Sequence, residues 1–332
     1  MTTAAASGFD LKKFTVDQFI ALTPAQVKLL TPAQIANVTT DQIDAILLDQ
    51  ATVLTSEQVA ALSSKVISAM NGSVLEVLST AAIAGLGVQN IVGLTTDTVS
   101  AFTTAQAAAL TAVQVGALPS KLVAEMESED LSSLSLVAMK GFNKANIQAL
   151  NLSTLTSDQF SAMTASQIGL LSTAQLDTLN SEFAPLLTAR IISVMTPAQL
   201  SILSTSIIST LTPAAVKGFS VKNIKGLTTD QMASITPDQS AVLSKVQLKA
   251  LATNQVSALS VESILAIPAA TLKGVASTLM SNFNASAFAS LSEEQIGSLS
   301  SAHVAGLTSA QVNQLTGSQI GVMKATALAS LA

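Results

Sequence analysis

The sequence predicts an all-α protein: a solenoid, or superhelical coil, of very short capped helices, one for each octapeptide repeat. Three observations predict it. An apolar residue recurs at every eighth position from Phe14 to Leu150, and again from Leu155 to Leu331. Thr, Ser or Asn follows this residue in most units, and Gln stands three positions later in 19 of them. So short a period indicates an array that grows by stacking rather than by enlarging one core.

Each octad has the features of a helix start. With the apolar anchor as position 1, a clear copy is LTPAQVKL at residues 22–29. Thr23 is then a helix N-cap, and Pro24 is the first helical residue, where a missing N–H costs nothing. Gln26 at position 5 completes a capping box. The apolar residues at positions 1 and 6 form a hydrophobic staple. We expect these two to point inward, and positions 3, 4, 7 and 8 to point outward.

Two other folds were weighed against this one. In one continuous helix, eight residues advance about 80° beyond two full turns, so the anchors would wind around the axis, and the recurrent Pro would break the helix. In a straight β-strand, positions 1 and 6 would face opposite sides. A corner could correct this in a β-solenoid, but Ala and Gln are poor strand formers and capping boxes serve no purpose there. The pattern therefore favours short helices.

The repeat also predicts the domain organisation. Residues 1–13 are an N-terminal lead-in, residues 14–150 a first repeat array and residues 155–332 a second array of one continuous solenoid. Between them, residues 151–154 are a phase slip, because Leu155 follows Leu150 after only five residues. The loss of three residues predicts a kink, a tight corner or a boundary between sub-arrays. The alternative is a deletion tolerated in a surface loop.

A second, longer repeat spans several octads at a time. Similar segments surround the anchors Leu86, Phe142, Phe219 and Phe283, which are seven, nine and eight full octads apart when the five-residue unit is not counted. They suggest modules of about eight octads, each forming one superhelical layer. The alternative is that a long tandem duplication left these marks without structural meaning.

Composition limits the partners. The net charge of −5 argues against nucleic acid, and the absence of Cys excludes disulfides and thiolate metal sites. Polar residues interrupt every apolar stretch, so none approaches the ~20 residues that membrane insertion requires. No signal peptide is visible in the first 14 residues. Export would need another route, or a start that has been trimmed.

Charged clusters and the single histidine were considered as sites. One run is acidic and one is basic: Glu125, Glu127, Glu129 and Asp130; Lys217, Lys222 and Lys225. The acidic run lacks the spacing and the Gly of a calcium site, so a solvated face is the expected reading. His303 occupies position 5, where it would replace Gln as the cap partner. Arg190, the only Arg, is expected at the surface. We predict no catalytic, cofactor-binding or metal-binding residue, and no cofactor.

The best-formed units include LSEEQIGS at residues 291–298 and LTSAQVNQ at residues 307–314. They resemble the tandem LTxxQ(I/V)xx arrays of large, mostly uncharacterised bacterial proteins that are often thought to be secreted or at the cell surface. The likeness covers nearly the whole chain. It implies a repetitive architecture and an extracellular or cell-surface location, and it supplies no catalytic residues.

These observations predict a non-enzymatic structural or adhesive protein, a bacterial surface rod, spacer or self-assembling fibre subunit. We expect self-association end to end, since Ala327, Leu328 and Leu331 continue the pattern to the last residues, or contact with another protein. The alternative function is a protein-binding solenoid module that uses the irregular charged segments as its contact surface. An enzyme is the third hypothesis, and it would depend on His303.

Overall fold

The computed structural model describes residues 10–331, and every element within them is helical, with no β-strand. The chain divides into two compact units, Met1–Leu170 and Leu171–Ala332. Nearly every octad contributes one helix of four to six residues, and a few contribute a 3-10 helix instead. The predicted all-α solenoid of short repeat helices is therefore confirmed.

The helices of the first unit are η1 (Leu11–Lys13), α1 (Val16–Ile20), α2 (Pro24–Lys28), α3 (Pro32–Ile35), α4 (Thr40–Asp44), α5 (Leu48–Ala51), α6 (Ser56–Ala60), α7 (Ser64–Ala69), α8 (Gly72–Glu76), α9 (Thr80–Ala84), α10 (Val88–Ile91), α11 (Thr96–Ser100), α12 (Thr104–Ala108), α13 (Ala112–Ala117), α14 (Ser120–Glu125), α15 (Ser128–Ser133), α16 (Leu136–Met139), α17 (Lys144–Ala149), η2 (Leu152–Thr154), α18 (Ser157–Ala162) and α19 (Ala165–Leu170).

The helices of the second unit are α20 (Thr173–Asp177), η3 (Ser181–Leu186), α21 (Ala189–Val194), α22 (Pro197–Ser201), α23 (Thr205–Thr210), α24 (Pro213–Val216), η4 (Ile224–Gly226), α25 (Thr229–Ala233), α26 (Pro237–Ala241), α27 (Lys245–Ala250), α28 (Thr253–Ala258), α29 (Val261–Ala266), α30 (Ala269–Leu272), η5 (Ser277–Asn282), α31 (Ala285–Ala289), α32 (Glu293–Gly297), α33 (Ser301–Ala305), α34 (Ser309–Val312), α35 (Gly317–Gly321) and α36 (Ala325–Leu328).

The predicted capping box starts many of these helices. At α3, the hydroxyl of Thr31 accepts a hydrogen bond from the backbone N–H of Gln34, whose side chain accepts one from the N–H of Thr31. Pro32 is the first helical residue. Within residues 10–331 the chain turns without left-handed residues. Ala36 at the C-cap of α3 is right-handed helical, and Thr31 at its N-cap is extended. The sharp redirection therefore needs no glycine, because an extended N-cap follows each helix.

Three helices make one turn of the solenoid. In the first unit α4 packs on α7 and α7 on α10, and in the second α21 packs on α24 and α24 on α26, with η4 between them in sequence. Within each unit, nearly every helix thus contacts the third helical element after it, and one turn takes 24 residues where all three octads are complete. Stacking of this kind supplies the tertiary contacts that an isolated helix of five residues lacks.

The core of each unit lies where the repeat places its apolar side chains. The anchor Leu54 is 4% exposed and the position-6 residue Val59 is 0% exposed. Glu57 at position 4 is exposed, whereas Ser56 at position 3 is only partly exposed. The inward positions 1 and 6 are confirmed, and position 5 is inward as well: Gln58 is 1% exposed. Position 8 was expected to face outward, but it is half-buried in most octads because it lies against the preceding turn, as Gly141 does against Ala112.

The phase slip is built as one short 3-10 helix within the first unit. The five-residue unit forms η2, which packs on α15 in place of an α-helix. Leu152 is buried, so the segment contributes to the core and is not a surface loop. The turn that contains it is three residues shorter, yet it still has three helical elements.

The longer repeat does not correspond to the turns of the solenoid. Modules of about eight octads were expected to be superhelical layers, but one turn contains three octads. Spacings of seven and eight units between the recurring segments are not whole numbers of turns. The physical reason is local: a helix of about five residues between sharp turns returns the chain to the same side after three units.

Candidate functional site

Most position-5 glutamines join two helix ends that lie in adjacent turns. The Oε1 atom of Gln58 accepts a hydrogen bond from the N–H of Thr55 at 2.9 Å, which caps the start of α6. Its Nε2 atom donates to the carbonyl of Val27 at 2.9 Å and to that of Leu30 at 2.8 Å, one turn earlier. The C-terminal carbonyls of a helix have no partner within the helix. Gln58 therefore satisfies the end of α2 and the beginning of α6 with a single side chain.

The same position links successive turns along both units. Its side chains donate to carbonyls 25 to 31 residues earlier, as shown by Gln42, Gln50, Gln106, Gln114, Asn146, Gln159, Gln167, Asn223, Gln231, Gln239, Gln247, Gln255, Ser263, Gln295, Gln311 and Gln319. The sequence predicted only the capping half of this role. The signal that sequence reasoning missed is the burial of Gln at a single position of the octad. The carbonyls that accept its hydrogen bonds can be identified only once three octads are known to complete one turn.

His303 confirms its predicted role as a cap partner. Its Nδ1 atom lies 3.1 Å from the backbone nitrogen of Ser300, so it accepts that N–H. Its Nε2 atom is 3.0 Å from the carbonyl oxygen of Val275, in the neighbouring turn. With Nδ1 as the acceptor, the ring is the Nε2–H tautomer and donates to Val275. The imidazole is 6% exposed, and the fold uses both of its nitrogens.

The acidic run separates into an exposed part and one buried residue. Glu125, Glu127 and Glu129 are exposed. Asp130 occupies position 5 and is 3% exposed, and its Oδ2 atom is buried without a hydrogen-bond partner. Burial, followed by the charges of Glu127 and Glu129, raises the pKa of Asp130 to about 6. The sequence reading of a solvated face holds for the glutamates, whereas Asp130 is a carboxyl group in a position built for an amide.

The basic run belongs to a larger surface in the second unit. Lys222 lies just before η4 and Lys225 lies within it, and both are exposed. Because η4 packs on α27 and α27 on α30, three further exposed lysines extend the surface: Lys245, Lys249 and Lys273. We call these five residues the lysine face. Lys217 is also exposed, and so is Arg190, as predicted.

Each unit also has a surface cleft. In the first unit a cleft of about 740 Å³ lies along α5, α8 and α11, and its lining includes Leu47, Leu48, Glu76 and Asp97. We call these four residues the acidic cleft. In the second unit a smaller cleft of about 250 Å³ is lined by Val304, Val312 and Leu331.

Metal and membrane sites were sought in the described part of the chain. Residues 10–331 contain no group of three or more His, Asp or Glu side chains arranged to hold a metal ion. Across the same residues no helix has the length and apolar character to span a bilayer.

The chain is thus an α-solenoid of octapeptide repeats with three helices per turn. Comparison with known proteins finds no family model that matches the chain, and no curated protein matches it.

Proposed function

We propose that this chain is a non-enzymatic structural repeat protein that acts outside a bacterial cell as a rod, a spacer or a subunit of a self-assembling fibre. The observation that carries the proposal is the cross-turn bonding by position 5. Most position-5 amide groups of the described units are buried and donate to backbone carbonyls of the preceding turn, as Gln239 does to Ile208 at 2.8 Å. Side chains that bind the backbone of the preceding turn stabilise a regular scaffold.

The exposed positions support the same proposal. Positions 3, 4 and 7 differ widely among the octads, while positions 1 and 6 stay apolar except at Ser240. A scaffold of this kind tolerates outer substitutions because its stability comes from stacking of neighbouring turns. The resemblance to bacterial LTxxQ(I/V)xx arrays supports the extracellular location.

The test is electron microscopy of the purified chain, together with protease treatment of intact source cells. Rods or fibres, and loss of the protein from treated cells, are the expected results. Compact particles would exclude the rod and fibre roles. Protection of the protein in intact cells, combined with its digestion after lysis, would exclude the surface location.

A second candidate is a protein-binding module, favoured by the lysine face. Five lysines lie on three successive turns, and the octads that carry them contain no acidic residue. This role predicts a partner whose binding is lost when the lysines are neutralised. Retention of the partner by the neutralised chain would contradict it.

A further inference from the structure

Charge is divided unequally between the two units. The first unit has seven basic and thirteen acidic side chains, a net charge of −6, and the second has eight basic and seven acidic, a net charge of +1. Such an asymmetry makes unlike units of two copies attract each other.

The lysine face presents a compact basic surface. A residue next to Lys273, Gly274, lies directly against the side-chain stem of Lys245, which brings the lysines of adjacent turns side by side. Two apolar side chains stand exposed among them: Val221 is 47% exposed and Val246 is 61% exposed. Basic groups around exposed valines form a surface suited to an acidic partner with an apolar patch of its own.

The acidic cleft has the complementary composition. Leu47 and Leu48 are 46% and 48% exposed along one side of the cleft. Glu76 is exposed on the next turn, and Asp97 follows on the turn after that. The cleft is concave, so the leucines can be covered by side chains from a facing surface, and the carboxylates lie where that surface would need to be basic.

We propose that the lysine face of one copy of this chain docks on the acidic cleft of a second copy. Val221 and Val246 would cover Leu47 and Leu48, and the lysines would surround them with pairs to Glu76 and Asp97. The contact joins two different surfaces, so a copy docked through its lysine face still offers its acidic cleft to another copy, and the assembly can continue beyond a dimer as a ring or an open chain. The inference deepens the proposed structural role and rests on it, since it names the partner as the protein itself.

The test is sedimentation velocity of the full chain from low to high micromolar concentration, at low and high salt. We expect the sedimentation coefficient to rise with concentration, and association to weaken by about tenfold at high salt because the charged groups are screened. Wild-type protein that stays monomeric at every concentration would overturn the proposal. Association that is equally strong at high salt would overturn it as well.

Two variants and two matched controls locate the contact. Variant one changes three exposed lysines of the face: Lys222→Glu, Lys245→Glu and Lys249→Glu. Its control makes the same charge change elsewhere: Lys65→Glu, Lys140→Glu and Lys324→Glu, all of them exposed. Variant two changes the cleft: Leu48→Lys and Glu76→Lys. Its control uses Leu136, which is 44% exposed, and the exposed Glu262: Leu136→Lys and Glu262→Lys.

The decisive result comes from mixing the two variants. Each variant alone should be monomeric, because it lacks one half of the contact. The mixture should associate, because variant one retains an intact cleft and variant two an intact lysine face. Controls should associate as the wild type does. Equal loss in variants and controls, or no association in the mixture, would overturn the proposal.

Failure of this contact and failure of the structural role give different results. Monomers that are rod-shaped in electron micrographs would exclude the contact and leave the structural role standing. Compact particles that associate in a salt-sensitive manner through these surfaces would exclude the rod or fibre role and leave the contact standing.

Discussion

The side-chain amide nitrogen of Gln58 lies 2.8 Å from the carbonyl oxygen of Leu30, 28 residues earlier in the chain. This bond crosses from one turn of the solenoid to the next, and its counterparts recur at position 5 throughout both units. The repeat is therefore held together by polar bonds as well as by apolar stacking. Because both polar atoms of the amide have buried partners, this position should be the least tolerant of isosteric change.

The first prediction concerns Gln58→Glu. The substituted side chain keeps an oxygen that can cap Thr55, but it turns a second oxygen toward the carbonyls of Val27 and Leu30. Loss of both donors beside buried acceptors should lower the free energy of unfolding by about 3 kcal/mol at neutral pH. Urea denaturation measures the change.

Gln26→Glu is the matched control for this prediction. Gln26 makes the same capping bonds with Thr23 in the first complete octads, and no cross-turn bond is recorded for it within residues 10–331. We expect its substitution to cost less than about 1 kcal/mol. Equal losses in the two variants would show that position 5 acts only as a cap.

The second prediction concerns the pH dependence introduced by Asp130. The fold raises the pKa of this carboxyl from 3.8 to about 6. Its raised pKa means that the neutral acid is favoured in the folded state. The free energy that this neutral carboxyl contributes to the folded state is present in full below about pH 4 and is lost as pH rises through about 6. Asp130→Asn should therefore be more stable than the wild type at neutral pH, and the difference should shrink on acidification.

The expected gain for Asp130→Asn is about 1–2 kcal/mol at neutral pH, because an amide can donate where the carboxylate cannot. Asn223 shows the geometry: its Nδ2 atom donates to the carbonyls of Ile192 at 2.8 Å and Met195 at 3.1 Å. Glu125→Gln, at an exposed site in the same acidic run, is the control and should leave the pH profile unchanged. A pH-independent difference between Asp130→Asn and the wild type would contradict the assignment.

How much the sequence could predict depends on the range of the interaction. Capping boxes and staples act within one octad, so residues such as Thr31 and Gln34 predicted the helix starts directly. The number of helices per turn depends on contacts between residues about 28 positions apart, such as those of Gln114 with Ile83 and Leu86. No pattern within eight residues contains that information, so the second role of position 5 was not predicted.

The range of the contacts also explains how much of the candidate surfaces the sequence could predict. The sequence identified the run Lys217, Lys222 and Lys225 because these residues are close in the chain. It could not join them to Lys245 and Lys273, because those lysines meet only when three octads complete a turn. Asp130 was placed in a solvated run by its neighbours in sequence, and its burial follows from its position within the octad.

The third prediction concerns Ser240, the exception among apolar position-6 residues. It is 0% exposed, and its hydroxyl oxygen is buried without a hydrogen-bond partner in α26, which packs on α29. Removal of an unsatisfied buried hydroxyl should stabilise the protein, so Ser240→Ala is expected to raise the free energy of unfolding by about 1 kcal/mol. Ser257→Ala is the control, since that exposed hydroxyl already donates to Thr253. Destabilisation by Ser240→Ala in thermal denaturation would indicate a partner for the hydroxyl.

The last prediction concerns Gly141, where the backbones of two neighbouring turns lie close together. A Cβ atom at this residue would collide with the backbone of Ala112, at the first helical position of α13 in the preceding turn. The backbone of Ala112 cannot rotate away as a side chain could, so Gly141→Ala must separate the two turns. We expect a loss of about 2 kcal/mol or more in the free energy of unfolding, because forced overpacking shifts the backbone.

Gly169→Ala is the control: no atom lies within 4 Å of its added Cβ, inside helix α19. That substitution should stabilise the chain by about 0.5–1 kcal/mol, because Ala loses less conformational freedom on folding. Opposite signs for the two glycines would establish that the turns are in contact at Gly141; the same sign for both would contradict the stacking of α16 on α13.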